Sequence, residues 1–224
     1  MIGNNVLAII NMHESDSDLG LLTEERVRGM LPFGGRYRLI DFALSRLSNV
    51  GVRDIGVLVP CKFSSVIDHL RNAKTWDLAR SNGGLYLLVP KERIFNVNRT
   101  FKRDLEHLYT HIDFLRASKK EYVLMTGTST IADMDHAAVL EAHMASKADI
   151  TLVYCKNPSW VPYSEKTMSL AMEGDRITNV EYVQSDMESP IYTNMLKFIM
   201  KRELLISLME ECQERGETDI YKDI

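Results

Sequence analysis

The feature that most constrains the fold is a regular alternation of short apolar runs with segments of helical periodicity. The first run, residues 6–10, is apolar throughout, which is typical of a strand buried on both faces. Residues 38–50 then place apolar side chains along one face of a helix, and Gly51 follows as a stop signal. Alternation of this kind predicts an α/β fold with a Rossmann-like, doubly wound and mostly parallel sheet.

The same patterns predict the remaining elements. Further strands are expected at 54–60, 85–89, 122–126, 150–155 and 196–200, a hairpin at 169–172 and 177–183, and helices from 65, over 105–115, over 137–148 and over 202–215. Ligands of such sheets bind beyond the carboxyl ends of the strands. We therefore expect site residues to begin at Asn11, Pro60, Val89 and Gly127.

Composition limits the possible partners and compartment. The chain has 224 residues, a net charge of −4 and no long apolar run, so neither a nucleic-acid groove nor a membrane span is predicted. Its three cysteines, Cys61, Cys155 and Cys212, lie far apart and form no CxxC motif. A disulfide framework or zinc knuckle is therefore not expected, and a cytoplasmic location is predicted.

A distinctive segment, PFGGRYRLIDFALSRLSNVGV, spans residues 32–52. Gly34 and Gly35 provide the conformational freedom for a sharp entry into the following helix. The neighbouring arginines are suited to anchoring a phosphate, but an ion pair between Arg38 and Asp41 is the simpler interpretation.

This segment closely resembles the corresponding stretch of glucose-1-phosphate adenylyltransferases, the ADP-glucose pyrophosphorylases. Those enzymes make ADP-glucose from ATP and glucose 1-phosphate for glycogen synthesis. The sequences YVLMTG, DMDH and TDIYKDI resemble further segments of the family. The resemblance implies a single nucleotidyltransferase-like (GT-A-like) domain over residues 1–224. Because family members continue into a left-handed β-helix domain that is absent from this sequence, we expect a truncated piece of a longer chain.

The loop after the first strand departs from the family. Active members have a glycine-rich loop there, which brings backbone N–H groups against a triphosphate. Here the loop reads NMHESDSDLG, with its first glycine at Gly20. Glu14, Asp16 and Asp18 place negative charge where a polyanion would bind, and each opposes it by about 1 kcal/mol in water or about 4 kcal/mol at an effective dielectric of 20. The degenerate nucleotide-site positions in this loop are Asn11, Met12, His13 and Glu14.

Other family positions are altered too. A family lysine falls at Arg28, which keeps the charge but not the ammonium geometry. The metal-binding aspartate of the family's G-D-H segment falls at Thr128, and a hydroxyl is a poor Mg²⁺ ligand. The segment that grips the sugar phosphate falls at Gln184 and Ser185, without its lysine. Asp223 falls at a second metal aspartate, although an exposed terminal aspartate is the alternative.

The altered positions are catalytic ones on several strands, whereas the scaffold pattern is kept. A further pocket segment of the family falls near residues 103–107 and lacks its glycine and threonine. The chain therefore resembles the GlgD-type, non-catalytic regulatory subunit of heteromeric bacterial enzymes, a pseudoenzyme. This resemblance implies no catalytic residue, metal or cofactor in this chain, with Mg²⁺ only in the catalytic partner. It also implies a hetero-oligomer, a heterotetramer, with the catalytic subunit of glucose-1-phosphate adenylyltransferase, which this chain would activate.

Several alternatives remain open. The chain is either that regulatory subunit, an active nucleotidyltransferase with an unusual phosphate loop, or a sensor of sugar phosphate or nucleotide. The i, i+4 pair His107 and His111 has zinc-binding spacing but no third ligand. Asp133 is expected to cap the helix that follows it.

Overall fold

The computed structural model describes residues 2–14, 17–60, 62–71, 73–79, 83–90, 104–132, 134–157, 167–183 and 191–224. In chain order the strands are β1 (Val6–Asn11), β2 (Pro32–Phe33), β3 (Tyr37–Arg38), β4 (Asp54–Leu58), β5 (Gly84–Leu88), β6 (Tyr122–Thr126), β7 (Ile150–Asn157), β8 (Met168–Glu173), β9 (Arg176–Tyr182) and β10 (Ile191–Lys201). The helices are α1 (Leu39–Asn49), α2 (Ser64–Leu70), α3 (Asp104–Thr110), α4 (Ile112–Ala117), α5 (His136–Ser146), α6 (Arg202–Arg215) and α7 (Ile220–Asp223).

The main sheet has the strand order β5-β4-β1-β6-β10-β8-β9, and β7 pairs with β10. The neighbours β5, β4, β1 and β6 are parallel, whereas β10 runs antiparallel to β6. β1 lies between β4 and β6, and all six of its residues are buried. The predicted α/β class with a mostly parallel sheet is confirmed.

Helices cover both faces of this sheet, so it is doubly wound. Alternate residues of β1 enter the two cores: Ala8 packs with α1, α2 and α5, and Ile9 packs with α3, α4, α6 and α7. This two-sided burial explains why the run at 6–10 has no polar position. No helix in the described residues is both long and apolar enough to cross a membrane.

Helix α1 starts through a different contact from the one predicted. The backbone N–H of Arg38 donates to Oδ2 of Asp41 at 2.9 Å, and Nε2 of His69 lies 2.6 Å from Oδ1 of the same carboxylate. The predicted Arg38–Asp41 ion pair is therefore wrong. Asp41 is only 7 % exposed and caps its own helix while it ties α1 to α2.

Two other local predictions need correction. The N-cap of α5 is Asp135, whose side chain accepts from the N–H groups of Ala137 and Ala138; Asp133 lies outside the described residues. The helix predicted over 105–115 is two short helices, because α3 ends before His111 and α4 begins after it.

Candidate functional site

The loops that follow β1, β4 and β6 meet at the carboxyl edge of the parallel strands. Asn11 and Met12 are buried there, and the N–H of Met12 donates to the carbonyl of Leu58 at 3.1 Å. The predicted site residues after β1 therefore lie at the sheet edge where ligands of such folds bind.

Glu14 forms the central contact of this edge. Its carboxylate accepts hydrogen bonds from the N–H groups of Thr128 and Ser129, both at 2.8 Å, and from the hydroxyl of Thr128 at 2.5 Å. A Cβ at Gly127 would lie 2.2 Å from Oε1 of Glu14, so glycine is required for this approach. We call this set of interactions the Glu14 contact.

The Glu14 contact shows that one carboxylate of the acidic loop binds within the protein. Successive backbone N–H groups that point the same way form an anion-binding concavity, and here an internal carboxylate occupies it. Glu14 is thus turned onto the loop after β6, where its carboxylate accepts three hydrogen bonds. Asp16 lies outside the described residues.

Arg28 and Thr128 join the same edge. A short 3-10 turn, Arg28–Met30, brings Nη1 of Arg28 to 3.4 Å from Oγ of Ser129. The next residue, Gly29, is wedged between Met12 and Thr128, whose atoms would lie 2.7 and 2.9 Å from an added Cβ. The structure therefore brings together the residues predicted after β1, Arg28 and Thr128.

Gly34 and Gly35 have a different setting. They form the turn of the exposed β2–β3 hairpin, with φ of 60° and 81°, and an added Cβ at either would meet no atom within 4 Å. The positive φ angles account for glycine at both positions, but the entry into α1 is set by Asp41. Gln184 and Ser185 lie outside the described residues.

Asp223 caps its own turn. Its Oδ2 accepts from the N–H groups of Thr218 and Asp219, each at 2.9 Å. The side chain is partly buried rather than exposed, so the alternative of an exposed terminal aspartate is wrong. Within the described residues, no group of three or more His, Cys, Asp or Glu side chains is placed to hold a metal ion.

The sequence did not single out Asp104 as a link between elements. It is 8 % exposed, and its carboxylate accepts from Nδ2 of Asn11 at 2.5 Å and from the N–H of Ile220 at 3.0 Å. These bonds join the end of β1, the start of α3 and the start of α7. Burial raises the pKa of the Asp104 carboxyl to about 6.

Two histidines pair beside this link. Nε2 of His13 lies 2.7 Å from Nδ1 of His107, and Nε2 of His111 lies 2.8 Å from the carbonyl oxygen of Val89. Burial lowers the pKa of His107 to about 3 and that of His13 to about 4. Both rings are therefore neutral at pH 7, and Nδ1 of His107 and Nε2 of His111 are engaged with His13 and with the carbonyl of Val89.

A β-bulge in β10 is another feature that sequence reasoning missed. The register against β7 shifts between Asn194 and Phe198, and Leu196 within the bulge has a φ of 53°. Asn194 is 5 % exposed, and its Oδ1 accepts from the N–H of Leu196 at 2.8 Å. The carbonyl of Leu196 accepts from the N–H of Gly127 at 3.2 Å. Bulges often re-aim side chains near functional sites, and this one places Lys197 behind the Glu14 contact.

Comparison with known proteins assigns the class. The profile of the Nucleotidyl transferase family matches residues 19–164, which is more than half of the chain. A solved structure described as a glucose-1-phosphate thymidylyltransferase from Bacillus anthracis, in complex with sucrose, superposes with a TM-score of 0.71 at 15 % identity, covering 92 % of this chain and 75 % of that one. The chain belongs to the nucleotidyl transferase family.

Curated relatives narrow the comparison. A glucose-1-phosphate adenylyltransferase of Clostridium perfringens strain SM101 is 31 % identical, over 94 % of this chain and 54 % of the relative. A glycogen biosynthesis protein GlgD of Geobacillus stearothermophilus is also 31 % identical, over 75 % of this chain and 49 % of the relative. The GlgD of Bacillus subtilis strain 168 is 30 % identical, over 76 % of this chain and 49 % of its own length. The chain spans about half the length of these relatives.

Proposed function

We propose that this chain is part of a non-catalytic regulatory subunit of a bacterial glucose-1-phosphate adenylyltransferase. It would pair with the catalytic subunit and raise the rate at which that subunit makes ADP-glucose for glycogen biosynthesis. The similarity to two GlgD proteins and to adenylyltransferases supports this role. The observation that carries the proposal is the Glu14 contact.

The Glu14 contact opposes nucleotide binding in two ways. The carboxylate already accepts from the N–H groups of Thr128 and Ser129, so a phosphate oxygen would have to displace it. A phosphate beside it would also face a negative charge, at a cost of about 4 kcal/mol for an effective dielectric of 20. A family member built for triphosphate transfer would be expected to hold glycine and cations at this point.

The position of Thr128 also supports a non-catalytic role. Its hydroxyl donates to Glu14 and is 2 % exposed. Magnesium prefers carboxylate and phosphate oxygens, and a buried hydroxyl committed to another residue supplies no charge to hold it. The retained fold would then serve as a surface for the partner. A tenfold activation needs only about 1.4 kcal/mol of differential contact between two states of the catalytic subunit.

A mixing assay tests the proposal. The protein alone is expected to form no ADP-glucose from ATP and glucose 1-phosphate. Titrated against a fixed amount of catalytic subunit from the same organism, it should raise ADP-glucose formation about tenfold and form a mixed oligomer by light scattering. An unrelated protein at equal concentration serves as the control. Unchanged activity without a mixed oligomer would reject the regulatory role.

Binding of Mg-ATP to the isolated protein separates this proposal from the alternative of an active enzyme with an unusual loop. Calorimetry should give no saturable signal below about 1 mM, equivalent to about −4 kcal/mol, because Glu14 occupies the N–H groups after β6. A micromolar dissociation constant, together with turnover near ~10 s⁻¹ by the isolated protein, would favour the active enzyme.

A further inference from the structure

A small, partly open cavity lies behind the Glu14 contact, between α1 and the loop that follows β6. Its polar walls are the side chains of Arg46, Thr128, Thr130, His136 and Lys197, and the α1 residues Leu39, Phe42, Ala43 and Leu47 supply its apolar walls. Glu14 does not line it. Gly127 and Thr128 line it, so the cavity adjoins the N–H groups that Glu14 occupies.

Lys197 is the unusual member of this cavity. It is 6 % exposed, and burial, together with the nearby positive charge of Arg46, lowers the pKa of its ammonium group, while Glu14 raises it. Within the part of the chain that the structure describes, Lys197 forms no hydrogen bond or ion pair. Desolvation of an ammonium group is costly, and the Glu14 carboxylate that acts on Lys197 also accepts hydrogen bonds from Thr128 and Ser129.

The β10 bulge explains how this lysine comes to be buried. Lys197 follows Leu196, whose left-handed conformation shifts the register of the strand. Lys197 is then paired with Thr126 at the end of β6, so that its side chain enters the core-facing side of the sheet edge. Bulges re-aim side chains and are common beside functional sites.

We infer that the cavity at Lys197 binds a compact oxyanion, of the phosphate or sulfate type. The Lys197 ammonium and the Arg46 guanidinium supply positive charge from two sides. Arg46 also donates to the carbonyl of Met134 at 3.4 Å, which holds it at the rim. Thr130 lines the same space, and its hydroxyl can donate to a remaining oxygen of such an anion. The small size of the cavity favours a free ion over a sugar phosphate or nucleotide.

Thermal unfolding and calorimetry of the isolated protein test this inference. Sodium phosphate and sodium sulfate are compared with sodium chloride at equal ionic strength, and glucose 1-phosphate forms a separate arm. Both oxyanions should bind saturably by calorimetry and should raise the melting temperature of the wild type by more than the general stabilisation that sulfate and phosphate give any protein, whereas glucose 1-phosphate should do so less. A larger effect of glucose 1-phosphate would overturn the free ion as the occupant and assign the site to a phosphoryl group.

Two variants locate the site. Lys197→Met keeps an unbranched side chain of similar length and removes its charge, and should weaken phosphate binding at least tenfold. Lys201→Met, at the exposed end of the same strand, is the matched control and should bind like the wild type. Arg46→Gln should weaken phosphate binding by a smaller factor. If Lys197→Met does not fold, Arg46→Gln alone tests whether phosphate binds in this cavity. The inference would be overturned if wild type and Arg46→Gln bound phosphate equally, or if phosphate had no effect beyond that of chloride. Neither result would change the outcome expected in the mixing assay with the catalytic subunit.

Discussion

Replacing Glu14 with alanine is expected to lower the free energy of unfolding by about 3 kcal/mol, since each hydrogen bond to a charged group contributes about 1.5–3 kcal/mol and water recovers part of the loss. The variant loses all three bonds of the Glu14 contact, two of them from backbone N–H groups of Thr128 and Ser129. Urea denaturation at pH 7.5, followed by circular dichroism, measures the change.

Two comparisons make this result specific. Glu14→Gln keeps one acceptor oxygen and should lose an intermediate amount. Glu25→Ala removes an exposed carboxylate from the same region of the chain and should stay within about 0.5 kcal/mol of the wild type. A Glu14→Ala protein as stable as Glu25→Ala would show that the carboxylate does not hold the two loops together in solution.

Acidification is expected to destabilise the protein through His107. Its pKa is about 3 in the folded state and 6.5 as a model value, with burial as the main cause. The unfolded chain therefore binds a proton that the folded chain excludes, so stability falls as pH drops below 6.5. Between pH 7.5 and pH 5 this amounts to about 2 kcal/mol. Urea denaturation at both pH values measures it.

His107→Asn is the decisive variant, because its side-chain oxygen can still accept from His13. The loss between pH 7.5 and pH 5 should be smaller than in the wild type by about 2 kcal/mol. Asp104 acts in the opposite direction. Its folded pKa is raised to about 6, so the stability it contributes at low pH is lost as pH rises through that value, by about 1 kcal/mol over the same interval. Identical pH profiles for wild type and His107→Asn would contradict the assignment.

The periodic elements could be predicted from the sequence because their signals are local. β6 was expected at 122–126 and α6 at 202–215, and both have those bounds in the structure. A strand buried on both faces must be apolar at every position, and a helix packed on one face must repeat every three or four residues. These requirements act within a few residues, so composition and order alone express them.

The family resemblance located the region of the site but not the direction of its side chains. Residues 11–14, Arg28 and Thr128 were singled out and do come together. The sequence nevertheless suggested that Glu14 faces a ligand, whereas the structure turns it onto Thr128, which lies 114 positions along the chain. A carboxylate in a loop has the same sequence signature whether it repels an incoming phosphate or accepts from a neighbouring loop.

Tertiary structure alone decided the remaining features. Asp104 links Asn11 to Ile220, which lie far from it in the sequence, and the buried position of Lys197 follows from a bulge in which Leu196 has a φ of 53°. No local preference predicts a leucine at positive φ or a buried lysine. The sequence by itself determined which segments form strands and helices, because that depends on the periodicity of burial. The pairing of polar groups was decided only by the tertiary structure, in which the sheet brings distant loops to one edge. Hydrogen bonds and charge interactions depend on distances in space, and the order of residues does not contain these distances.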